Sequence, residues 1–151
     1  DSQVFKTVYA LKPTESQLTS FSILMAGYKG DINQFIEGAK AIDRLTPSSR
    51  VLIAEACSHI PQNEDIGRVK IPAMLQKKCG CKLNFTFVSG LDELPPLDGF
   101  ALVLQCGGCM VTRRQLANRI RRVVAAGVPV TNYGMCIAYV TGIFKRATAL
   151  F

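Results

Sequence analysis

The sequence predicts an α/β fold: a small, mostly parallel four-stranded sheet covered by helices on both faces, with its chemistry gathered at the C-terminal ends of the strands. Three observations lead to it. The runs at 51–54, 100–104 and 128–131 are short and continuously apolar, as expected of strands buried on both faces of a parallel sheet. Between strands, apolar residues recur at helical spacing, most clearly Leu116, Ile120, Val123 and Val124 among arginines. The signals then run strand, helix, strand, strand, helix, strand, helix, which suits parallel strands joined by crossovers.

Taken in order, residues 1–8 read as the end of an element begun upstream. Lys12-Pro13-Thr14-Glu15-Ser16 reads as a polar loop, so 1–17 is expected to be an upstream tail or linker and 18–151 the domain proper. The chain starts at Asp1 without an initiator methionine, which suggests a fragment or processed product. Residues 18–25 are mostly apolar and of open type. Asp31 is placed to cap a helix, with Gln34 three residues on and Phe35, Ala39 and Ile42 as its buried stripe. Thr46-Pro47-Ser48-Ser49 ends that helix before the strand at 51–54. A long polar loop over 60–72 precedes a short helix at 73–78. Leu83, Phe85 and Phe87 alternate with polar residues, as in a strand with one less-buried face, placed at an edge. After the strand at 100–104, Thr112 and Gln115 form a capping box that opens a helix at Arg113, and Gly127 with Pro129 stops it. The apolar segment 135–144 is too short to span a bilayer and reads as a buried helix.

With 151 residues, 48% hydrophobic and 19% charged, the chain can bury one good core. It has no apolar run near about eighteen residues and no secretory leader, so a soluble protein without a membrane span is expected. Six cysteines beside an ample core argue against a disulfide framework and for a reducing, cytoplasmic setting. The net charge of +7 draws on Arg113, Arg114, Arg119, Arg121 and Arg122, which read first as a solvated helix face and second as a surface for an acidic protein. Nucleic acid is not expected, because no RNA-binding signature or interleaved aromatic platform accompanies the charge.

The chemistry concentrates in Gln105-Cys106-Gly107-Gly108-Cys109, directly after the strand. Its glycines allow a tight turn on which two thiolates converge, and the helix that follows directs its positive end toward them. Alone, C-x-x-C fits a redox dithiol or a zinc half-site equally well. A second strand, 51–54, leads to Cys57-Ser58-His59, which contains the single histidine of the chain. If the two strands are neighbours, three thiolates meet, with His59 as ligand or hydrogen-bond donor. Glu64, on the long loop, is either a weak exchangeable ligand or, with Asp65, solvated or paired with Arg68 and Lys70. Gln105 is a strand-end polar group or a donor to the site. Cys79-Gly80-Cys81 lacks an obvious partner ligand, and Cys136 reads as a core residue.

Together these residues resemble the C-x-H…H-C-x-x-C signature of the HydF family, the GTPase scaffold that matures iron-iron hydrogenases. Similar surroundings include Leu18 to Leu24, Lys29-Gly30-Asp31, Glu64 to Pro72 and Pro129 to Gly134. The resemblance implies that Cys57, Cys106 and Cys109 bind a 4Fe-4S cluster at the C-terminal ends of the strands, with His59 or Glu64 as candidate exchangeable fourth ligand. It further implies a transient di-iron subcluster precursor as cargo, and apo iron-iron hydrogenase and radical-SAM maturases as partners. A GTPase domain and a dimerisation domain would precede this region and give a homodimer at full length. No G-x-x-x-x-G-K-[ST] is present, so GTP would bind only in that N-terminal domain and this region is not itself an enzyme. Gln105 stands where the family signature has histidine, which moves the fourth position toward His59, Glu64 or solvent. A closed Cys3His zinc site and a Cys106-Cys109 redox pair are the alternatives.

Overall fold

The computed structural model describes residues 4–56 and 65–151. Strands β1 (Arg50–Ala54), β2 (Asn84–Val88), β3 (Phe100–Gln105) and β4 (Val130–Asn132) form one sheet in the order β2-β1-β3-β4, and every pairing is parallel. The helices are α1 (Phe5–Leu11), α2 (Phe21–Lys29), α3 (Ile32–Lys40), α4 (Ile71–Cys79), α5 (Arg113–Ala125), α6 (Tyr133–Val140) and α7 (Phe144–Ala147).

The continuous apolar strands are explained by two cores. Leu52, Ala54, Val103 and Val130 face a cluster with Ile23, Phe35, Leu116 and Ile120, whereas Val51, Ile53, Leu102 and Leu104 face another with Ile42, Ile71 and Leu75. Successive strand residues point to opposite faces, so burial on both sides removes the polar alternation. At the edge, β2 keeps some alternation: Phe87 is 36% exposed and lies beneath the Arg68 guanidinium, 5.4 Å from its ring centroid.

Helix starts follow local chemistry. Ser20 Oγ accepts the Ile23 N–H at 3.3 Å at the start of α2, and the Asp31 carboxylate accepts those of Asn33 and Gln34 at 3.0 and 3.2 Å at the start of α3. Both halves of the expected capping box are present at α5. Asn132 ends β4 and caps α6 at once: its Oδ1 accepts the Met135 N–H at 2.9 Å while its Nδ2 donates to the Ser22 carbonyl at 2.7 Å. Helix α3 lies directly on β4. Thr131 Oγ1 donates to the Phe35 carbonyl at 2.8 Å, and a Cβ on Gly38 would sit 1.8 Å from the Val130 carbonyl oxygen.

Three elements depart from expectation. The polar loop ends early, because Ile66–Lys70 forms a π turn that runs into α4; the Asp65 carboxylate caps it by accepting the Arg68 N–H at 2.8 Å, and buried Ile71 holds it down. The segment 135–144 is two helices, α6 and α7, because the chain turns at Gly142 with φ of 80° and the Tyr139 and Phe144 rings pack edge-on at 5.1 Å. The apolar stripe that ends at Ile42 runs out of α3 into a 3-10 turn, Ala41–Arg44. Residues 18–25, of open type in sequence, enter α2. The loop at 12–16 is tied to α7 by Arg146, which donates to the carbonyls of Pro13, Thr14 and Ser16 at 2.9, 3.1 and 3.2 Å. Among the described residues, no helix is long and apolar enough to cross a membrane.

The α3–β4 contact gives the first prediction. Gly38→Ala drives a methyl into the Val130 backbone and should lower stability by about 3 kcal/mol. Gly127→Ala, at φ of 70° with open space around it, should cost about 1 kcal/mol. Urea unfolding of both variants checks the order; equal losses would mean that the helix–strand approach has no special tolerance.

Candidate functional site

The strand order creates one place where loops part. From β1 the chain crosses to β2 on one side, while β3 lies on the other side of β1 and its own crossover leads to β4. The C-terminal ends of β1 and β3 are therefore adjacent, with crossovers leaving in opposite directions, the position where open α/β sheets collect ligands.

Cys106 sits there. Its N–H extends the ladder one step past β3 by donating to the Ala54 carbonyl at 3.0 Å, and its Sγ accepts the Ala56 N–H at 2.9 Å. Gln105, only 2% exposed, sets its Nε2 3.6 Å from the same sulfur, so it is both a buried strand-end group and a donor toward the site. Cys106 is buried and Cys109 is exposed, so one sulfur lies at the sheet and the other at the surface. Gly108, at φ of 65°, makes the turn between them and packs under Val111 and Leu116, where an added Cβ would stand 3.3 Å from each. Helix α5 begins beyond the turn, as the capping box requires.

Two cations missed by the sequence reading fasten this end of the sheet. Lys29 Nζ, from the last turn of α2, donates to the carbonyls of Gly108, Cys109 and Val111 at 2.7, 3.2 and 2.8 Å. Arg119 is partly buried rather than part of a solvated arginine face. It donates to the carbonyls of Glu55, Gly90 and Asp92 at 3.3, 2.9 and 2.9 Å, and so joins α5 to the end of β1 and to the loop after β2. Burial pulls its pKa down, opposed by the nearby Cys106 and Asp92. No periodic pattern signals contacts this distant in sequence.

Arg68 pairs with Glu55, with Nη2 and Nε 2.9 and 3.1 Å from Oε2, and its Nη2 also donates to Ser89 Oγ at 2.8 Å. The hydrogen bond to Glu55 raises the Arg68 pKa, helped by the charge of the same carboxylate. Glu55 is thus the carboxylate that engages Arg68 by side chain, while Asp65 engages its backbone. This pair ties together the two ends of the segment 57–64. Cys57, His59 and Glu64 lie outside the described residues, and among the described residues no group of three or more histidine, cysteine or acidic side chains could hold a metal. Within these bounds, the described part of the site supplies two thiols on a glycine turn, one backbone and one side-chain donor to the Cys106 sulfur, and two fixed cations.

The other cysteines are elsewhere. Cys79 and Cys81 are half-buried against the second core, and burial, then the neighbouring Cys81, raises the Cys79 pKa. Cys136 is 1% exposed, as expected of a core residue, and burial pushes its thiol up to about 12.

The fold and site define a small parallel α/β domain with a cysteine turn at the opening of its sheet. Residues 33–150 match the family described as the hydrogen maturase F tetramerization domain, and residues 1–30 match the hydrogen maturase F dimerization domain. The chain belongs to the hydrogen maturase F family, which ties it to hydrogenase maturation, and neither matching region is a GTPase domain. No curated protein matches the chain. Helix α2 falls within the dimerization match, yet its Ile23 and Ala26 are in the core shared with β1 and β3.

Thiol reactivity tests the contrast between cysteines. At mildly alkaline pH, iodoacetamide should modify Cys109 rapidly and leave Cys136 untouched until the chain unfolds, as peptide mass mapping would show. The raised Cys136 pKa also sets a pH dependence. Its stabilising share is complete below the ordinary thiol value of 9.0 and is lost as pH rises toward about 12, because there only the unfolded chain releases the proton. Urea midpoints should fall across that window, and by less in Cys136→Ala.

Proposed function

We infer that residues 18–151 form an iron-sulfur scaffold domain in which Cys57, Cys106 and Cys109 hold a 4Fe-4S cluster. The observation that carries this reading is the Ala56 N–H at 2.9 Å from Cys106 Sγ. Cys57 follows Ala56 directly in the sequence, so the amide that meets the Cys106 sulfur belongs to the residue before the third cysteine of the expected set. Membership of the hydrogen maturase F family supplies the biological setting.

The donor set suits such a group. Sulfurs from two different strand ends hold against loss, and the Ala56 amide and Gln105 carboxamide lower the electron density on Cys106 sulfur. A bound cluster would supply an iron with an exchangeable coordination position for a di-iron precursor, and His59, Glu64 or solvent would be its candidate fourth ligand. The exposure of Cys109 supports exchange of that cargo at the surface, with apo iron-iron hydrogenase as its acceptor and radical-SAM maturases upstream. Arg113 and Arg114, exposed at the start of α5, attract an anionic cargo or an acidic partner. The chain does this in the cytoplasm as part of an oligomer; the dimerization and tetramerization matches support the oligomer, and GTP is handled by a domain outside the matched regions.

Anaerobic reconstitution with iron and sulfide is the test. The parent chain should take up about four irons per chain and show a reducible EPR signal, and Cys57→Ala, Cys106→Ala and Cys109→Ala should each lose most of both. A colourless chain that retains one zinc would replace this reading with a structural Cys3His site.

A further inference from the structure

We propose that Lys29 is the positioning residue of the Cys106–Cys109 turn, and that through it helix α2, which lies in the region matching the dimerization domain, governs how tightly the turn is held. The role in cluster retention rests on the scaffold reading above; the role in ordering the turn does not.

A single ammonium that meets the carbonyls of Gly108, Cys109 and Val111 uses all three of its donors on four consecutive residues of one turn. Within the same turn the Val111 N–H donates to the Gly108 carbonyl at 3.2 Å. The carbonyls need partners, and a cation that satisfies several at once fixes their directions. With the carbonyls turned toward Lys29, the peptide planes are fixed and the Cys109 side chain has a defined starting point.

A second contact comes from the other end of the same helix. An added Cβ on Gly107 would stand 3.5 Å from Ser22 Oγ, and Ser22 in turn accepts the Gly134 N–H on its Oγ at 3.2 Å and the Asn132 carboxamide on its carbonyl at 2.7 Å. Helix α2 therefore lies along the turn, held to the end of β4 by Ser22 and to the turn by Lys29. The outer side of this helix carries Leu24 and Tyr28, 46% and 66% exposed. A load on that side that shifts α2 moves Lys29, and with it the carbonyls that set the position of Cys109.

The test compares the whole chain with Lys29→Met and Lys29→Arg. In the metal-free protein, amide hydrogen exchange over 106–112 should quicken by about tenfold in Lys29→Met, the loss expected for charged hydrogen bonds of this kind, while β1 and β3 keep parental rates. Lys29→Arg, which keeps a multidentate cation, should recover most of the protection. After reconstitution with iron and sulfide, Lys29→Met should release iron to a chelator about tenfold faster and show a more negative reduction potential, since a nearby positive charge favours the reduced state. Parental exchange rates over 106–112 in Lys29→Met would overturn the proposal. So would faster iron release with an unchanged potential and no rescue by arginine, which marks general loosening. If exchange quickens but no variant, parent included, takes up iron, the positioning role stands and the scaffold reading fails.

Discussion

The pairing of β1 with β3 is the constraint on which the site depends. Parallel register sets Ala54 opposite Gln105, so the two chains leave the sheet side by side. One residue further, the Cys106 N–H still reaches the Ala54 carbonyl, and two further along β1 the Ala56 N–H reaches the Cys106 sulfur. A slip of one residue would exchange the faces of every side chain in β3, bury Cys106 in the wrong layer and break the two-core arrangement. The same apolar pattern that stabilises the sheet thus fixes where the sulfur stands.

Past the strand ends, backbone carbonyls lose their ladder partners in a region that is half-buried, and the molecule answers with long cationic side chains. Lys29 serves the cysteine turn, and Arg119 serves the end of β1 and the loop after β2. Both reach across from helices on the layer that shares a core with Leu52 and Val103. Each meets a demand of backbone hydrogen bonding at the strand ends, and Arg119 also places its positive charge near Cys106. The Glu55–Arg68 pair does the corresponding work on the opposite side, where it joins the segment before Cys57 to the π turn that follows Glu64.

Much of the fold was legible because its signals are local. The apolar runs at β1 and β3, the Asp31 cap and the Thr112–Gln115 capping box each state their structure within a few residues. The elements that were misread depend on distant packing. The π turn at Ile66–Lys70 carries mixed polar residues and is held by Ile71 in the core, and the break between α6 and α7 is set by a glycine turn inside an unbroken apolar run. At the site, the cysteine turn was legible from its glycines and from the strand before it. Lys29 and Arg119 were not, since a basic residue in a helix says nothing about which carbonyls it will meet 79 or 64 residues away. Arg119 belonged to a stripe of arginines whose other members are exposed, and only tertiary packing separates it from them.

The central claim is that three cysteines at the β1–β3 opening hold a cluster with one iron left exchangeable. Mössbauer spectroscopy of the chain reconstituted with isotopically enriched iron tests it most directly. The account predicts a cluster spectrum in which one iron is distinguishable from the rest and shifts when an exogenous ligand such as imidazole is added. A spectrum of equivalent irons that ignores added ligand, or no cluster signal in a chain that keeps zinc, would contradict it.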